Sequence, residues 1–180
     1  MRLPFLALST ASILLAQDSV TVTRRAAPDK ALVFQVDVPA SRAAVWEAFS
    51  TSTGLITWLA PEAFVDLRNG GEWTARFPTG STGGGTIVRF NPGRELVLSA
   101  LAPDRFPAVR AERTTAIFEF ETVGDRTRVR LTQTGWKQGE EWDRAYEYLA
   151  AGNAQLLEAL RQRFSSGPLN WPKILVGSKQ

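Results

Sequence analysis

Between Thr115 and Phe164 the chain reads TAIFEFETVGDRTRVRLTQTGWKQGEEWDRAYEYLAAGNAQLLEALRQRF, and a change of period inside this stretch decides the fold. As far as Thr134 apolar and polar residues alternate, so that Ala116, Phe118 and Phe120 share one face with Val129 and Leu131. A repeat of two is the signature of a strand with one covered side, and Gly124-Asp125 marks the turn of a hairpin. On the other face Glu119 and Glu121 oppose Arg126, Arg128 and Arg130. Such cross-strand charge pairs contribute roughly 0.2 to 1 kcal/mol each, and a solvated sheet face accounts for them without invoking an anion or nucleic acid. After Gly139 the period lengthens: Trp142, Tyr146, Leu149, Asn153, Leu156, Leu160 and Phe164 recur at steps of three and four. That is the apolar stripe of a long amphipathic helix. Acidic residues in its first turns and Arg161 and Arg163 near its end suit the helix dipole, and Gly167-Pro168 ends it.

Working back from this stretch, Asn69-Gly70-Gly71, Gly80 with Gly83-Gly84-Gly85, and Asn91-Pro92-Gly93 punctuate a series of hairpin strands. The glycine triplet reads as a flexible hairpin, since no Lys-Ser or Lys-Thr follows it as in a phosphate loop. Trp73, Ala75 and Phe77 fall on the covered face of one strand. Earlier still, Ala31 to Val38 is a β-branched strand stopped by Pro39. Ser41 caps a helix carrying Val45, Trp46 and Phe49, and Thr53 to Leu59 forms a second brief helical segment. The stretch from Ala108 to Arg113 reads as loop. Residues 17–30 form a polar leader in which Thr21 to Thr23 can make a short edge strand, and residues 165–180 form a tail.

Strand, helical pair, hairpins and a terminal helix make an α+β domain over residues 31–164, a curved antiparallel sheet wrapped around the long C-terminal helix. A chain of 180 residues, 44% hydrophobic and 22% charged, buries an adequate core in one domain. Without Cys or His it has no thiol nucleophile, imidazole base or nitrogen–sulfur metal site. Glu140, Glu141 and Asp143 read as helix-start charges rather than metal ligands, so neither metal nor cofactor is expected. The net charge of +3 is spread along the chain, which argues against a nucleic-acid partner. Residues 1–16, with Arg2 before an apolar run ending at Ala16, have the form of a signal peptide, too short to span a membrane. Export to the periplasm or beyond is the expectation; the alternatives are an uncleaved anchor or a misassigned start, the latter leaving the protein cytoplasmic.

The entry Val38-Pro39-Ala40-Ser41 with Val45-Trp46-Glu47-Ala48-Phe49, then Trp58, then Val65 to Trp73 with its Asn69-Gly70-Gly71, resembles the START-like (SRPBCC) superfamily. Gly135-Trp136, Trp142 and Leu156 to Leu160 extend the likeness to the AHSA-like group, named after the activator of the heat-shock-protein-90 ATPase. The resemblance implies a helix-grip fold with a cavity for hydrophobic or amphipathic molecules. It also implies a spread of roles from ligand carriage to polyketide cyclisation and co-chaperone work.

The residues expected to line that cavity are Trp58, Trp73, Phe77, Phe118, Trp136, Trp142 and Tyr146, whose rings offer large apolar area with polar edges. Plain core packing is the competing reading for each. Asn153 interrupts the helix stripe, where an unpaired buried amide costs roughly 1 to 3 kcal/mol, so it needs either a ligand or a neighbour as partner. Gly152 suggests close contact with the sheet. The leading function is binding of a small apolar molecule. An enzyme using a buried carboxylate or Tyr, and a protein-interaction module, are the alternatives.

Overall fold

In a computed structural model residues 19–172 are described, and the predicted signal peptide lies outside them. Alternation drives the strands: in β2 (Ala31–Val38) Leu32, Phe34, Val36 and Val38 are buried while the residues between them are half-buried. Ahead of it β1 (Thr21–Arg25) is fully exposed and pairs with β2 as an edge strand. The helix α1 (Arg42–Ser50) opens on Ser41, whose hydroxyl accepts from the Ala44 amide, and buries Val45, Ala48 and Phe49. The single turn α2 (Ser52–Leu55) follows.

These two helices carry the chain from β2 to the far edge of the sheet. There β3 (Glu62–Val65), β4 (Glu72–Arg76), β5 (Thr82–Asn91) and β6 (Glu95–Leu101) walk back by hairpins. A short helix α3 (Pro107–Glu112) intervenes before β7 (Thr114–Val123) and β8 (Arg126–Thr134), and β8 closes against β2. The result is one eight-stranded antiparallel sheet ordered β1-β2-β8-β7-β6-β5-β4-β3, gripped around α4 (Glu140–Ser166). It is the α+β helix-grip arrangement that the sequence predicts.

Three local expectations differ from the structure. The glycine triplet is strand, not hairpin: a Cβ on Gly84 would stand 2.0 Å from the Trp73 carbonyl oxygen, and one on Gly85 2.2 Å from that of Ser99. Bare backbone lets β4, β5 and β6 approach, and the turn falls instead at Thr79-Gly80, closed by the Phe77 amide donating to Ser81. The segment read as loop is helix α3, because its first amides find a remote acceptor: Ala108 and Val109 both donate to Glu141 of α4, at 2.8 and 3.2 Å. Gly152 touches nothing, since a Cβ there would meet no atom within 4 Å.

The tail after α4 turns back onto the helical pair. The Leu169 amide donates to the Thr57 carbonyl, and the Trp171 indole to that of Ile56. Among the described residues no helix is long and apolar enough to cross a membrane.

Candidate functional site

The aromatic residues divide into two neighbourhoods. The first centres on Phe49 of α1, fully buried, with Trp58 at 4.9 Å between ring centroids, Phe120 at 5.0 Å, Phe118 at 5.1 Å and Trp73 at 6.3 Å. Each indole there closes on backbone: Trp58 donates to the Ala48 carbonyl at 3.0 Å and Trp73 to that of Phe49 at 2.7 Å. Phe77 lies at the margin, half-buried over Gly83, whose added Cβ would come within 2.9 Å of its ring.

The second neighbourhood lies under α4. Trp136 stands edge-on to Trp142 at 6.5 Å and to Tyr146 at 4.9 Å, and its indole donates to the Gln133 carbonyl. Trp142 belongs with Ala102, Phe106, Val109 and Ala145 in a small cluster beneath α3. The Tyr146 hydroxyl donates to the Ala31 carbonyl at 3.0 Å, and Lys30 sits 4.7 Å from its ring. Burial raises the Tyr146 pKa above the ordinary phenol value, against the pull of Lys30 and Arg24.

Asn153 has the partner its position demands. Its Nδ2 donates to Gln133 Oε1 at 2.8 Å, and Gln133 Nε2 donates to Thr114 Oγ1 at 2.8 Å. Gln133 and Thr114 are each only 4% exposed, so three polar side chains form a relay set into an apolar face. The sequence reading missed Gln133 and Thr114. Gln133 carries the same signal as Asn153, an amide at an inward position that continues the alternation of Val129 and Leu131 in β8.

The helix closes unevenly on the sheet. It rests mainly on β2, with smaller contacts to β1 and α3. Along the inward stripe Tyr146, Leu157 and Leu160 are buried, whereas Leu149, Asn153 and Leu156, half a turn or less away, are half-buried. Two clefts open elsewhere. One of about 300 Å³ is lined by Arg42, Arg94, Glu119, Phe120, Glu121, Arg128 and Arg130. The other, of about 460 Å³, lies between Val20 and the outer side of α4 at Ala154, Glu158 and Gln162. Neither is lined by any of the eight residues nominated from sequence.

The acids at the start of α4 are all engaged. Glu140 pairs with Arg144, Asp143 with Lys30 at 2.8 Å, and Glu141 caps α3. Among the described residues no group of three or more potential ligands is placed to hold a metal ion.

An antiparallel sheet closed over one long terminal helix, entered through a helical pair between the first long strand and the far edge, defines the helix-grip class. Within that class the chain belongs to the family described as activator of Hsp90 ATPase homolog 1-like protein, whose model matches residues 39–165. Among curated protein sequences, none matches the chain. Solved structures share the fold at low identity. A protein of Mesorhizobium loti is 19% identical with a TM-score of 0.65, the match covering 77% of this chain and 99% of that one. The Aha1 dimer of Colwellia psychrerythraea is 20% identical with a TM-score of 0.62, covering 76% and 97%. CalU16 of Micromonospora echinospora is 19% identical with a TM-score of 0.61, covering 89% and 91%.

Proposed function

We propose that the protein binds a small hydrophobic or amphipathic molecule between its sheet and α4, as a carrier or sensor rather than a catalyst. The observation that carries this reading is the amide relay at a half-open flank. Asn153, Leu149 and Leu156 keep partial access to solvent, beside an apolar sheet face, and behind them Gln133 and Thr114 hold the Asn153 amide in place. Asn153 donates into the relay through Nδ2, and in this reading its Oδ1 is the acceptor offered to a guest. A ligand with an apolar body and one hydroxyl or N–H donor fits that arrangement. Trp136, Leu149 and Leu156 would take the body, and Asn153 the donor. Trp58, Trp73 and Phe118 then serve by making the opposite wall rigid. If the apolar leader directs export, the cargo is handled outside the cytosol.

A catalytic reading needs a carboxylate or phenol made reactive by burial, and Tyr148 is 45% exposed. The Tyr146 hydroxyl is committed to Ala31, and the buried polar side chains of the described residues are Thr114, Thr127 and Gln133.

Native mass spectrometry of the purified protein tests the reading. A co-purifying small molecule of defined mass, reduced in Asn153→Leu, is the expected result. Apo protein that instead captures a polypeptide would favour the interaction-module alternative. Turnover lost with a single carboxylate substitution would favour the enzyme.

A further inference from the structure

A separate feature lies where the start of α1 and the β5–β6 turn meet the outward residues of β7 and β8. Four guanidinium groups, from Arg42, Arg94, Arg128 and Arg130, share the cleft of about 300 Å³ with Glu119, Glu121 and Phe120. The sequence predicts that these acids pair with the arginines, and the register does set Glu119 opposite Arg130 and Glu121 opposite Arg128. The arginine forks turn the other way, toward β2. Arg128 grips Asp37 with two bonds of 2.8 and 2.9 Å, and Arg130 donates to the Gln35 amide oxygen at 3.2 Å. The Arg128 guanidinium in turn holds the Asp37 carboxyl below the ordinary carboxylate value. Arg42 reaches over the turn, its Nε 4.0 Å from where a Cβ on Gly93 would stand, and the turn is tied down by the Phe120 amide donating to the Arg94 carbonyl. Among the described residues the Arg42 and Arg94 side chains make no hydrogen bond or ion pair.

The cleft is therefore lined by two committed cations, two uncommitted cations and two carboxylates. Arginine forks favour tetrahedral and planar oxyanions. The carboxylates repel a fully ionised anion but accept a hydrogen bond from one that retains a proton. Inorganic phosphate retains a proton near neutral pH and its monoesters do so below their second pKa of about 6, whereas sulfate has none to give.

We infer that this outer cleft is a binding site for a phosphate group, held by Arg42 and Arg94 and selected over sulfate by Glu119 and Glu121. The site is independent of the grip beneath α4. Its size, at the lower end for small-molecule sites, suits inorganic phosphate, or a phosphorylated metabolite or phosphomonoester lipid headgroup in its protonated, monoanionic form.

Calorimetric titration of the full chain with inorganic phosphate, and separately with sulfate at matched ionic strength, tests the site. Phosphate should bind at least about tenfold more tightly than sulfate, and Arg42→Ala with Arg94→Ala should lose about tenfold in phosphate affinity. Glu119→Gln with Glu121→Gln should admit sulfate and erase the preference, a readout that survives if the arginine variant fails to fold. Equal affinity for the two anions, or phosphate binding indifferent to both pairs of substitutions, overturns the assignment. Vesicles containing phosphatidic acid separate the sources. Binding that free phosphate displaces points to the lipid headgroup, no vesicle binding points to a soluble phosphorylated molecule, and vesicle binding that phosphate leaves intact counts against the site.

Discussion

The ring cluster around Phe49 and the flank of α4 around Asn153 are built from the same kinds of residue and behave differently. In the first, every indole N–H closes on a carbonyl of α1, and the rings pack with almost no exposure. In the second, Trp136, Leu149, Asn153 and Leu156 are half-buried, and Asn153 of the helix bonds to Gln133 of the sheet. What separates the two regions is the element that covers them. The helix α1 covers β7 and β8 and buries Phe49 completely, while α4 rests mainly on β2 and keeps Leu149, Asn153 and Leu156 half-buried. Counting aromatic residues therefore identifies core and candidate pocket together, and only the seating of the covering helix tells them apart.

Substitutions can break or sharpen this contrast. The largest effect is expected at Phe49, where four rings meet: Phe49→Ala should cost about 3 to 5 kcal/mol in denaturant unfolding, as for other buried aromatic truncations. A cost below about 1 kcal/mol would mean that the cluster relaxes as readily as the α4 flank and would erase the distinction. At the flank, Asn153→Leu leaves Gln133 Oε1 without its donor and should cost about 1 to 2 kcal/mol. Adding Gln133→Leu and Thr114→Val, so that no member is left unpaired, should recover most of that loss, and a triple variant no better than the single one would show that the relay is not a unit. The smallest effect is a gain. Gly152 is helical and faces open space, so Gly152→Ala should raise stability by about 0.5 to 1 kcal/mol, whereas a loss would place the sheet nearer to α4 than the structure has it.

The fold was legible because its signals are local. Alternation in β2, β7 and β8, the Ser41 cap and the stripe of α4 each depend on residues a few positions apart, and together they define the grip. What escaped was set at a distance. The helix α3 exists because Glu141, more than thirty positions along, accepts its first amides. The glycines of β5 are required by the carbonyls of two neighbouring strands, which no periodicity reveals. The candidate site was half-legible for the same reason. An amide on an apolar stripe marks Asn153 as needing a partner, but its identity depends on how β8 lies against α4. The register likewise foretold Glu119 and Glu121 facing the arginines, yet side-chain direction sent the guanidinium forks to β2.

The difference between the two regions is tested most directly by the indole N–H signals of nitrogen-15-labelled protein during titration with a small apolar probe carrying one hydroxyl, such as a naphthol. Binding in the grip predicts shifts at the Trp136 indole and the Asn153 side-chain amide while the Trp58 and Trp73 indoles stay in place. Movement of Trp58 and Trp73 with Trp136 unchanged, or no movement at Asn153 as probe concentration rises, would contradict it.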